Sequence, residues 1–309
     1  MSFLITGGTG FIGSYIARDL VQKNEKVILY DLFPNINAIK DISTKVTVVH
    51  GDICDLADLL RTIRRFNVDY IIHLAYLIPP ATEENPKRAL EINCLGTINV
   101  FEAARLEDIK RVVWASSTAV YGLAEDYNYQ TVNEDSPVKP TTVYGACKVL
   151  NEFVSEHYAS KYGLDLIGLR PTIVYGFGRK RGMFNFANDV IEKAALRQKV
   201  KVPYGDQELD WVYVKDISRA FITACYVKKP RHRIFNIGGY RCKVKEVAEL
   251  VKKFVPDAEI TVESGSLGWV SKYDISRAKE ELGYSPMYDL EAGIKDILKI
   301  ANTRGHYCS

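Results

Sequence analysis

Residues 5–13 read Ile5-Thr6-Gly7-Gly8-Thr9-Gly10-Phe11-Ile12-Gly13, and the rest of the chain is organised around them. An apolar run precedes the glycines and an amphipathic segment follows them. A strand, a glycine turn and a helix in this order leave free backbone N–H groups and the positive end of a helix dipole facing a pyrophosphate. Gly7 permits a turn that a Cβ would forbid, Gly10 permits close approach to phosphate, and Gly13 permits packing of the helix on the strand. The stretch predicts a dinucleotide site, although a strand-to-helix turn without a ligand has the same pattern.

A second apolar run supports the dinucleotide interpretation. Residues 26–31 end in Asp31, about twenty residues after the glycines, which is the spacing at which an acid meets the adenosine ribose. A carboxylate there would accept hydrogen bonds from both ribose hydroxyls. The two features together favour a bound dinucleotide over a bare turn.

Length and composition exclude several classes of protein. At 309 residues and 47% hydrophobic composition, the chain can form one large α/β domain, or one domain with an additional lobe. The net charge of +3, from 41 basic and 38 acidic residues, gives no reason to expect nucleic acid or a membrane surface as a partner. The first strand begins at once and no apolar stretch reaches the length of a membrane span, so we expect a cytoplasmic protein. The six cysteines lack Cys-x-x-Cys spacing, which favours reduced thiols over disulfides or a zinc site, and we expect no metal.

Short β-branched runs alternate with helical stretches through the first half of the chain. This alternation predicts an α/β fold, a Rossmann-type doubly wound parallel sheet with a smaller C-terminal substrate lobe. We expect a Rossmann domain at 1–171 and a mainly substrate-binding lobe at 172–309, with segments around 210–238 returning to the first domain. Asp216 is expected to cap the helix that ends near 227. Predicted strands lie at 3–5, 26–31, 46–49, 70–74, 111–116, 164–169, 211–214 and 234–237, and further predicted helices at 56–65, 86–104, 143–162, 184–196, 244–254, 276–282 and 290–300.

A possible catalytic set lies on the fifth strand and the long helix after it. Tyr144 and Lys148 are four residues apart, which places both on one face of the helix. An isolated phenol titrates near ~10, so it is a poor base at neutral pH unless a cation stabilises the phenolate, and Lys148 could supply that charge. Ser117, at the end of the strand, could hydrogen-bond the same substrate oxygen. The set would move a proton on or off a carbinol while hydride passes to or from a nicotinamide, although such a pair alone is usually an ordinary helix face.

The combination of motifs resembles the extended short-chain dehydrogenase/reductases, which include the NAD-dependent epimerase/dehydratase family. The resemblance runs along almost the whole chain. Its motifs are Thr6 to Gly13, Gly51-Asp52-Ile53, His73-Leu74-Ala75, Asn93, Ser116-Ser117 with Val120-Tyr121-Gly122, Tyr144-Gly145-x-x-Lys148, Trp211 to Asp216, and Asp274 to Pro286.

The resemblance implies roles for particular residues. Ser117, Tyr144 and Lys148 would be catalytic. Asp31, with no arginine directly after it, favours NAD over NADP. The helices at 86–104 and 143–162 would form the surface of a homodimer. The implied cofactor-binding residues are Gly7, Gly10, Phe11, Ile12, Gly13, Asp31, Asp52, Ile53, Leu74, Ala75, Asn93, Tyr144 and Lys148.

Departures from the family pattern bear on the substrate. Family dehydratases have an Asp-Glu pair directly after the position of Ser117, where this chain has Thr118-Ala119, so we do not expect sugar dehydration. Nucleotide-sugar members place an arginine where this chain has Leu209 and often an asparagine where it has Ile173, and a further arginine has no counterpart in 264–273. A diphosphate would therefore be poorly paired. Residues 73–77 also resemble the threonine-dehydrogenase-like branch of the superfamily.

Three residues are candidates for substrate contacts. Arg179, in the sequence Arg179-Lys180-Arg181, could bind an anionic group in place of the missing arginines, although a solvated loop has the same composition. Tyr76 would line the pocket or a lid, or simply pack in a loop. Thr118 follows the catalytic serine. The basic turn at 228–233 lacks interleaved aromatic residues and is interpreted as a charged connection.

These observations favour an NAD-dependent oxidoreductase that transfers hydride at a secondary alcohol or ketone of a small polar substrate, possibly sugar-like or anionic. An alternative enzyme is an NAD-dependent nucleotide-sugar 4-epimerase of the UDP-glucose 4-epimerase type. An alternative of another class is a non-catalytic dinucleotide-sensing protein, which would have no need of a proton-transfer set.

Overall fold

A computed structural model describes residues 1–305, and its largest element is a seven-stranded parallel sheet with helices on both faces. In chain order the strands are β1 (Ser2–Thr6), β2 (Lys26–Asp31), β3 (Thr47–His50), β4 (Tyr70–His73), β5 (Arg111–Ala115), β6 (Leu166–Pro171), β7 (Ile173–Tyr175), β8 (Val200–Val202), β9 (Glu208–Tyr213), β10 (Ile234–Ile237), β11 (Tyr240–Lys243) and β12 (Ile260–Val262). The helices are α1 (Phe11–Gln22), α2 (Leu56–Phe66), α3 (Ala81–Glu84), α4 (Pro86–Ala89), α5 (Gly96–Leu106), α6 (Val143–Tyr162), α7 (Asn185–Ala195), α8 (Val214–Tyr226), α9 (Val244–Phe254), α10 (Ser276–Leu282) and α11 (Leu290–Gly305).

The order of strands in the large sheet is β10-β6-β5-β4-β1-β2-β3, with every neighbouring pair parallel. The chain fills one side of β1 first and then crosses to the other side at β4. A crevice forms at the carboxyl ends of the strands where the order reverses in this way. The predicted Rossmann-type doubly wound sheet is confirmed.

Alternation along β1 shows why the sheet is buried on both faces. Phe3 and Ile5 pack into the core that contains α1 and α8, whereas Leu4 packs into the core beneath α2 and α5. All three side chains are fully buried. A strand covered on both sides needs apolar residues at every position, which is why β1 and β2 appear in the sequence as continuous apolar runs.

The second half of the chain adds two smaller sheets. β11 pairs antiparallel with β9, which pairs parallel with β7, and β12 pairs with β8. Helices α7, α9 and α11 pack together beside the β8–β12 pair. β10 returns to the large sheet, where it pairs with β6.

Several element boundaries differ from those expected. The helix predicted at 86–104 begins at Pro86 but contains a π-helical turn, Leu90–Leu95, between α4 and α5. The fourth strand ends at His73, one residue earlier than predicted. β7, β8, β11 and β12 were not predicted; three of them are only three residues long.

Asp216 does not cap α8, so the predicted cap is wrong. Tyr213 precedes the helix, and Asp216 lies within the first turn, fully buried. Its carboxylate accepts hydrogen bonds from the N–H groups of Met287 and Tyr288, both at 3.0 Å. The carboxylate therefore binds backbone groups that are distant in sequence, and not the N–H groups at the start of α8 as predicted.

Two further observations concern the described residues as a whole. Within residues 1–305, no helix combines the length and the apolar character needed to cross a bilayer. Cys308 lies outside the described residues, and the free cysteines within them are Cys54, Cys94, Cys147, Cys225 and Cys242.

Candidate active site

A cleft of about 1100 Å³ lies at the carboxyl ends of the parallel strands. It opens where the sheet order reverses between β1 and β4, the position at which open α/β sheets bind ligands. Asn93 and Lys148 lie behind its surface, both fully buried. The other predicted cofactor and catalytic residues all line it: Gly7, Gly10, Phe11, Ile12, Gly13, Asp31, Asp52, Ile53, Leu74, Ala75, Ser117 and Tyr144.

The glycine turn is too crowded for side chains. Gly7 has a φ of +64°, and a Cβ on it would lie 3.0 Å from backbone atoms of Leu74 and Ala75. A Cβ on Gly13 would lie 2.6 Å from the carbonyl oxygen of Gly7. No acidic residue occupies the first turn of α1 and no side chain caps it, so the helix dipole there is not neutralised. The geometry fits the pyrophosphate of a dinucleotide.

Asp31 lies half-buried at the end of β2, at the edge of the cleft. Its Oδ2 accepts hydrogen bonds from the Thr9 hydroxyl at 2.6 Å and the Thr9 N–H at 3.1 Å. Arg18 also lines the cleft, but its guanidinium donates to both oxygens of Asp41 at 2.8 and 2.7 Å. A carboxylate at the ribose position, with the nearby arginine already paired, fits NAD and repels a 2′-phosphate.

The walls of the cofactor half are fixed by side-chain amides. Both ends of the Asn93 amide bond the backbone of Leu77, with Nδ2 donating to its carbonyl at 2.9 Å and Oδ1 accepting from its N–H at 2.8 Å. Asn99 donates to the carbonyl of Ile53 at 3.0 Å. Asn93 therefore shapes the loop after β4, and contact with the cofactor remains a prediction for it.

Tyr144 lies in the first turn of α6, whose start is held by two side chains. The Thr142 hydroxyl accepts from the N–H of Gly145 at 3.0 Å. The Glu83 carboxylate accepts from the N–H of Val143 at 3.0 Å and of Tyr144 at 3.2 Å. Because Glu83 belongs to α3, the loop after β4 and the helix that carries Tyr144 are joined.

Ser117 and Tyr144 are brought together across the cleft. Ser117 follows β5 in extended conformation, and its Oγ accepts from the N–H of Ala119 at 3.1 Å. Burial raises the pKa of Tyr144 to about 12, while its hydrogen bond with Ser117 and the positive charge of Arg179 act in the opposite direction. The phenol is therefore protonated at neutral pH in the protein without cofactor.

Lys148 is on the same face of α6 as Tyr144, as the spacing predicts. Its Nζ donates to the carbonyl of Ala115 at 2.5 Å and lies 5.3 Å from the centre of the Tyr144 ring. Burial holds the pKa of Lys148 well below its ordinary value. The ammonium thus lies beneath Tyr144 rather than in solvent.

The three predicted substrate residues have different surroundings, although all line the cleft. The Thr118 hydroxyl donates to the carbonyl of Pro171 at 3.1 Å. The Tyr76 ring lies against Lys148, with its centre 2.8 Å from Nζ. The half-buried Arg179 donates to the carbonyl of Val174, and burial lowers its pKa to about 10. Substrate contact remains a prediction for each.

Two features of the site were not identified from the sequence. Glu83 belongs to the segment from Glu83 to Pro86 that resembles the threonine-dehydrogenase-like branch, but its bonds to 143 and 144 were not predicted, because those partners are distant along the chain. Trp269 lines the cleft and packs edge-on against Phe184, with ring centres 5.6 Å apart. A tryptophan in a segment rich in serine and glycine was a usable signal. It lies in the same segment, 264–273, in which an arginine was expected.

Comparison with known proteins identifies the family of this chain. The model for the NAD-dependent epimerase/dehydratase family matches residues 3–238. A protein of Methanocaldococcus jannaschii, provisionally named UDP-glucose 4-epimerase, is 36% identical over 304 residues, with 96% of each chain covered. L-threonine dehydrogenase from Clostridium difficile has a similar structure, with a TM-score of 0.89, 27% identity and 98% of each chain covered. MoeE5, solved with UDP-glucuronic acid and NAD, has a TM-score of 0.84 at 26% identity, covering 99% of this chain and 100% of its own. The chain with the glycine turn, Asp31 and the Ser117–Tyr144 pair is thus a member of the NAD-dependent epimerase/dehydratase family.

Proposed function

We propose that this enzyme transfers hydride between NAD and a secondary alcohol or ketone of a small substrate that carries an anion close to the reacting carbon. NAD would supply the hydride acceptor, held by the glycine turn and Asp31. Ser117, Tyr144 and Lys148 would be the catalytic set. The observation that carries the proposal is the convergence of Ser117 and the Arg179 charge on one phenol inside the cleft.

Tyr144 would exchange the proton of the carbinol. Ser117 bonds the phenol and would also bond the substrate oxygen, which fixes that oxygen beside Tyr144. The charge of Arg179 favours the phenolate over the phenol, which burial disfavours. A charged Lys148, 5.3 Å from the ring centre, would act in the same direction. Protein groups thus lower the free energy of the ionised form that the oxidation requires.

Arg179 is the proposed site for the substrate anion. Its guanidinium is half-buried, and within residues 1–305 it forms hydrogen bonds to carbonyls, at Val174 and Arg181, but no ion pair. The Asp189 carboxylate acts on it only through longer-range attraction. A half-buried arginine without a paired carboxylate is a favourable site for a planar anion, since its fork can bind both oxygens.

The position of Arg179 favours a carboxylate near the carbinol. Its charge acts on Tyr144 directly, so its anion and the reacting oxygen belong to the same end of the substrate. L-threonine and the glucuronic acid unit of UDP-glucuronic acid share this arrangement, since one carbon separates a carboxylate from a carbinol carbon. A β-hydroxycarboxylate unit is therefore the substrate class that we propose.

The test is a substrate panel with purified protein and NAD. L-threonine, 3-hydroxybutyrate, UDP-glucuronic acid and UDP-glucose are compared for NADH formation and, by chromatography, for isomerised product. Turnover of at least one carboxylate-containing compound in preference to UDP-glucose is expected. Turnover of UDP-glucose with none of the carboxylates would overturn the proposed substrate class while leaving hydride transfer in place.

Nucleotide-sugar 4-epimerisation is the second candidate. The protein at 36% identity and the size of the cleft, about 1100 Å³, favour it. Leu209 and Ile173, at positions where arginine and asparagine were expected, oppose it. Isomerised sugar without accumulation of NADH would identify an epimerase, whereas NADH in proportion to product would identify a dehydrogenase. A sensor without turnover is the least favoured, since it would need no proton-transfer set.

We also propose a homodimer formed through the helices at 86–106 and 143–162. Large apolar side chains are exposed along this face: Leu90 at 50%, Leu95 at 57%, Leu150 at 42% and Phe153 at 76%. Exposed apolar residues on adjacent helices are typical of a surface that another subunit covers. The cytoplasmic location and the division into domains at residue 171 remain predictions.

A further inference from the structure

A second contact on Lys148 is not explained by its proposed catalytic role. The side chain is fully buried, and one side of its ammonium donates to the carbonyl of Ala115 at 2.5 Å. The other side lies over the face of Tyr76, with Nζ 2.8 Å from the ring centre. The ring of Tyr144 is farther away, at 5.3 Å. The aromatic face of Tyr76 is therefore the nearer ring to the ammonium.

Among the described residues, the groups that surround Lys148 include no carboxylate that is free to pair with it. The thiols of Cys94, from the π-helical turn, and of Cys147, on α6, face it. Glu152, one turn along α6, also acts on it, but that carboxylate is already bound by Arg170 at 2.6 Å. From β4, His73 faces it as a neutral imidazole, because burial and the Lys148 charge hold the pKa of His73 well below its ordinary value. No ion pair to Lys148 occurs within residues 1–305.

Tyr76 contributes its ring rather than its hydroxyl. The hydroxyl oxygen is buried and faces the hydroxyl of Thr97, not Lys148. Its neighbour Thr97 is already engaged, donating to the carbonyl of Asn93 at 2.7 Å and meeting His73 Nε2 at 3.0 Å. The ring itself packs against His73, with centres 4.6 Å apart. The face of the ring, and not the hydroxyl, therefore makes the contact with Lys148.

We propose that Tyr76 is a positioning residue, whose ring face keeps the Lys148 ammonium charged and fixed beneath Tyr144. A cation over an aromatic face is stabilised by the ring quadrupole, and the attraction is stronger when both are removed from water. Since a buried lysine without a carboxylate partner tends to lose its proton, this contact opposes the effect of burial. The proposal rests on the proposed catalytic role of Lys148 but not on any particular substrate.

The test varies the electron density of ring 76 without changing its shape. Residue 76 is replaced by phenylalanine and by its mono-, di- and trifluorinated forms, which progressively weaken the negative face of the ring. The pKa of Lys148 is measured by NMR on protein labelled at the lysine ε-carbons, with Lys148→Arg to assign the signal. We expect Tyr76→Phe to keep the wild-type pKa, and the fluorinated series to lower it stepwise by about one unit in total.

A flat pKa across the fluorinated series would overturn the proposal, and so would a Tyr76→Phe shift as large as that of the trifluoro form. Circular dichroism on every protein verifies the fold, and the near-identical shapes of the rings make unfolding an improbable explanation of a graded response. This titration needs no substrate, so it can succeed or fail independently of the proposed function.

The pH dependence of turnover gives a second readout with any active compound of the panel. The reaction requires Tyr144 ionised and Lys148 charged, so a weaker ring should move the alkaline limb to lower pH and the acid limb to higher pH. The pH range over which the enzyme is active should therefore become narrower as fluorine atoms are added. A merely structural role would lower the height of the profile and leave both limbs in place, which would contradict the proposal.

Discussion

The proposed chemistry depends on the Tyr144 hydroxyl. Tyr144→Phe removes the proton donor and acceptor but leaves the ring, so we expect kcat to fall by about 10²- to 10⁴-fold, the usual contribution of a general acid–base group. The affinity for NADH, measured by calorimetry, should change little. The control is Tyr129→Phe, at a side chain that is 64% exposed in a loop outside the cleft. Unchanged turnover in Tyr144→Phe would remove this residue from the catalytic set.

Arg179 should influence both binding and the pH profile. Arg179→Gln removes the charge that lowers the pKa of Tyr144, so that pKa rises further above its ordinary value and the acid limb of kcat moves to higher pH. The KM for a carboxylate substrate should rise about 10-fold or more, since a charge-assisted bond contributes about 1.5–3 kcal/mol.

The matched control for that variant is Arg197→Gln, at the end of α7, which loses only an exposed pairing of 3.8 Å with Asp257. If Arg179→Gln and the control gave the same KM and pH profile, Arg179 would be a loop residue without contact to substrate.

At the level of elements, the glycine turn couples cofactor binding to packing. Gly13→Ala would place a Cβ 2.6 Å from the carbonyl oxygen of Gly7, so α1 must move away from the turn. We expect the free energy of unfolding to fall by about 1–3 kcal/mol, the range for overpacked sites, and the affinity for NAD to fall with it. Urea unfolding and calorimetry measure the two effects. The control is Gly163→Asn, at the open end of α6, where asparagine tolerates the φ of +72°.

The comparison of sequence with structure shows which elements local signals specify. The helix predicted from Val143 to Tyr162 is confirmed as α6. The structure shows local reasons for both ends, since Thr142 caps its start and Gly163 ends it in the left-handed region. The π-helical turn at Leu90–Leu95 was not predicted. One extra residue in a helix makes no change in hydrophobic periodicity that a short window of sequence can detect.

The candidate site shows the same division. Local sequence patterns are enough to predict the glycine turn, Asp31, and the spacing of Tyr144 and Lys148. The direction of the Lys148 ammonium toward Ala115 and Tyr76 depends on three separate segments packed together. The same applies to Asp216, whose partners Met287 and Tyr288 lie in a distant loop. Such contacts depend on the tertiary fold, and the local sequence contains no signal that would predict them.

At the level of the whole molecule, we expect the parallel sheet to hold the cofactor and the later loops to determine the substrate. The glycine turn follows β1 and Asp31 ends β2, whereas Arg179 and Trp269 come from loops beyond the sixth strand. Substitutions in those later loops should therefore change which alcohol is oxidised and leave the affinity for NAD intact. This separation explains how one fold accommodates both the dehydrogenase and the epimerase structures that resemble it.

The last expectation concerns assembly. Phe153 is 76% exposed on α6, beside Leu150 and across from Leu90 and Leu95. A Phe153→Glu substitution would place a charge in the proposed subunit interface, where it could not be solvated, so light scattering should show a dimer for the wild type and a monomer for the variant. Met287→Glu is the control, because that side chain is 72% exposed in the loop before α11, away from this face. A monomeric wild type, or a variant that remains dimeric, would show that these helices are not the interface. Since α6 also carries Tyr144 and Lys148, a monomer with lower turnover and an unchanged thermal midpoint would indicate that the second subunit steadies the catalytic helix.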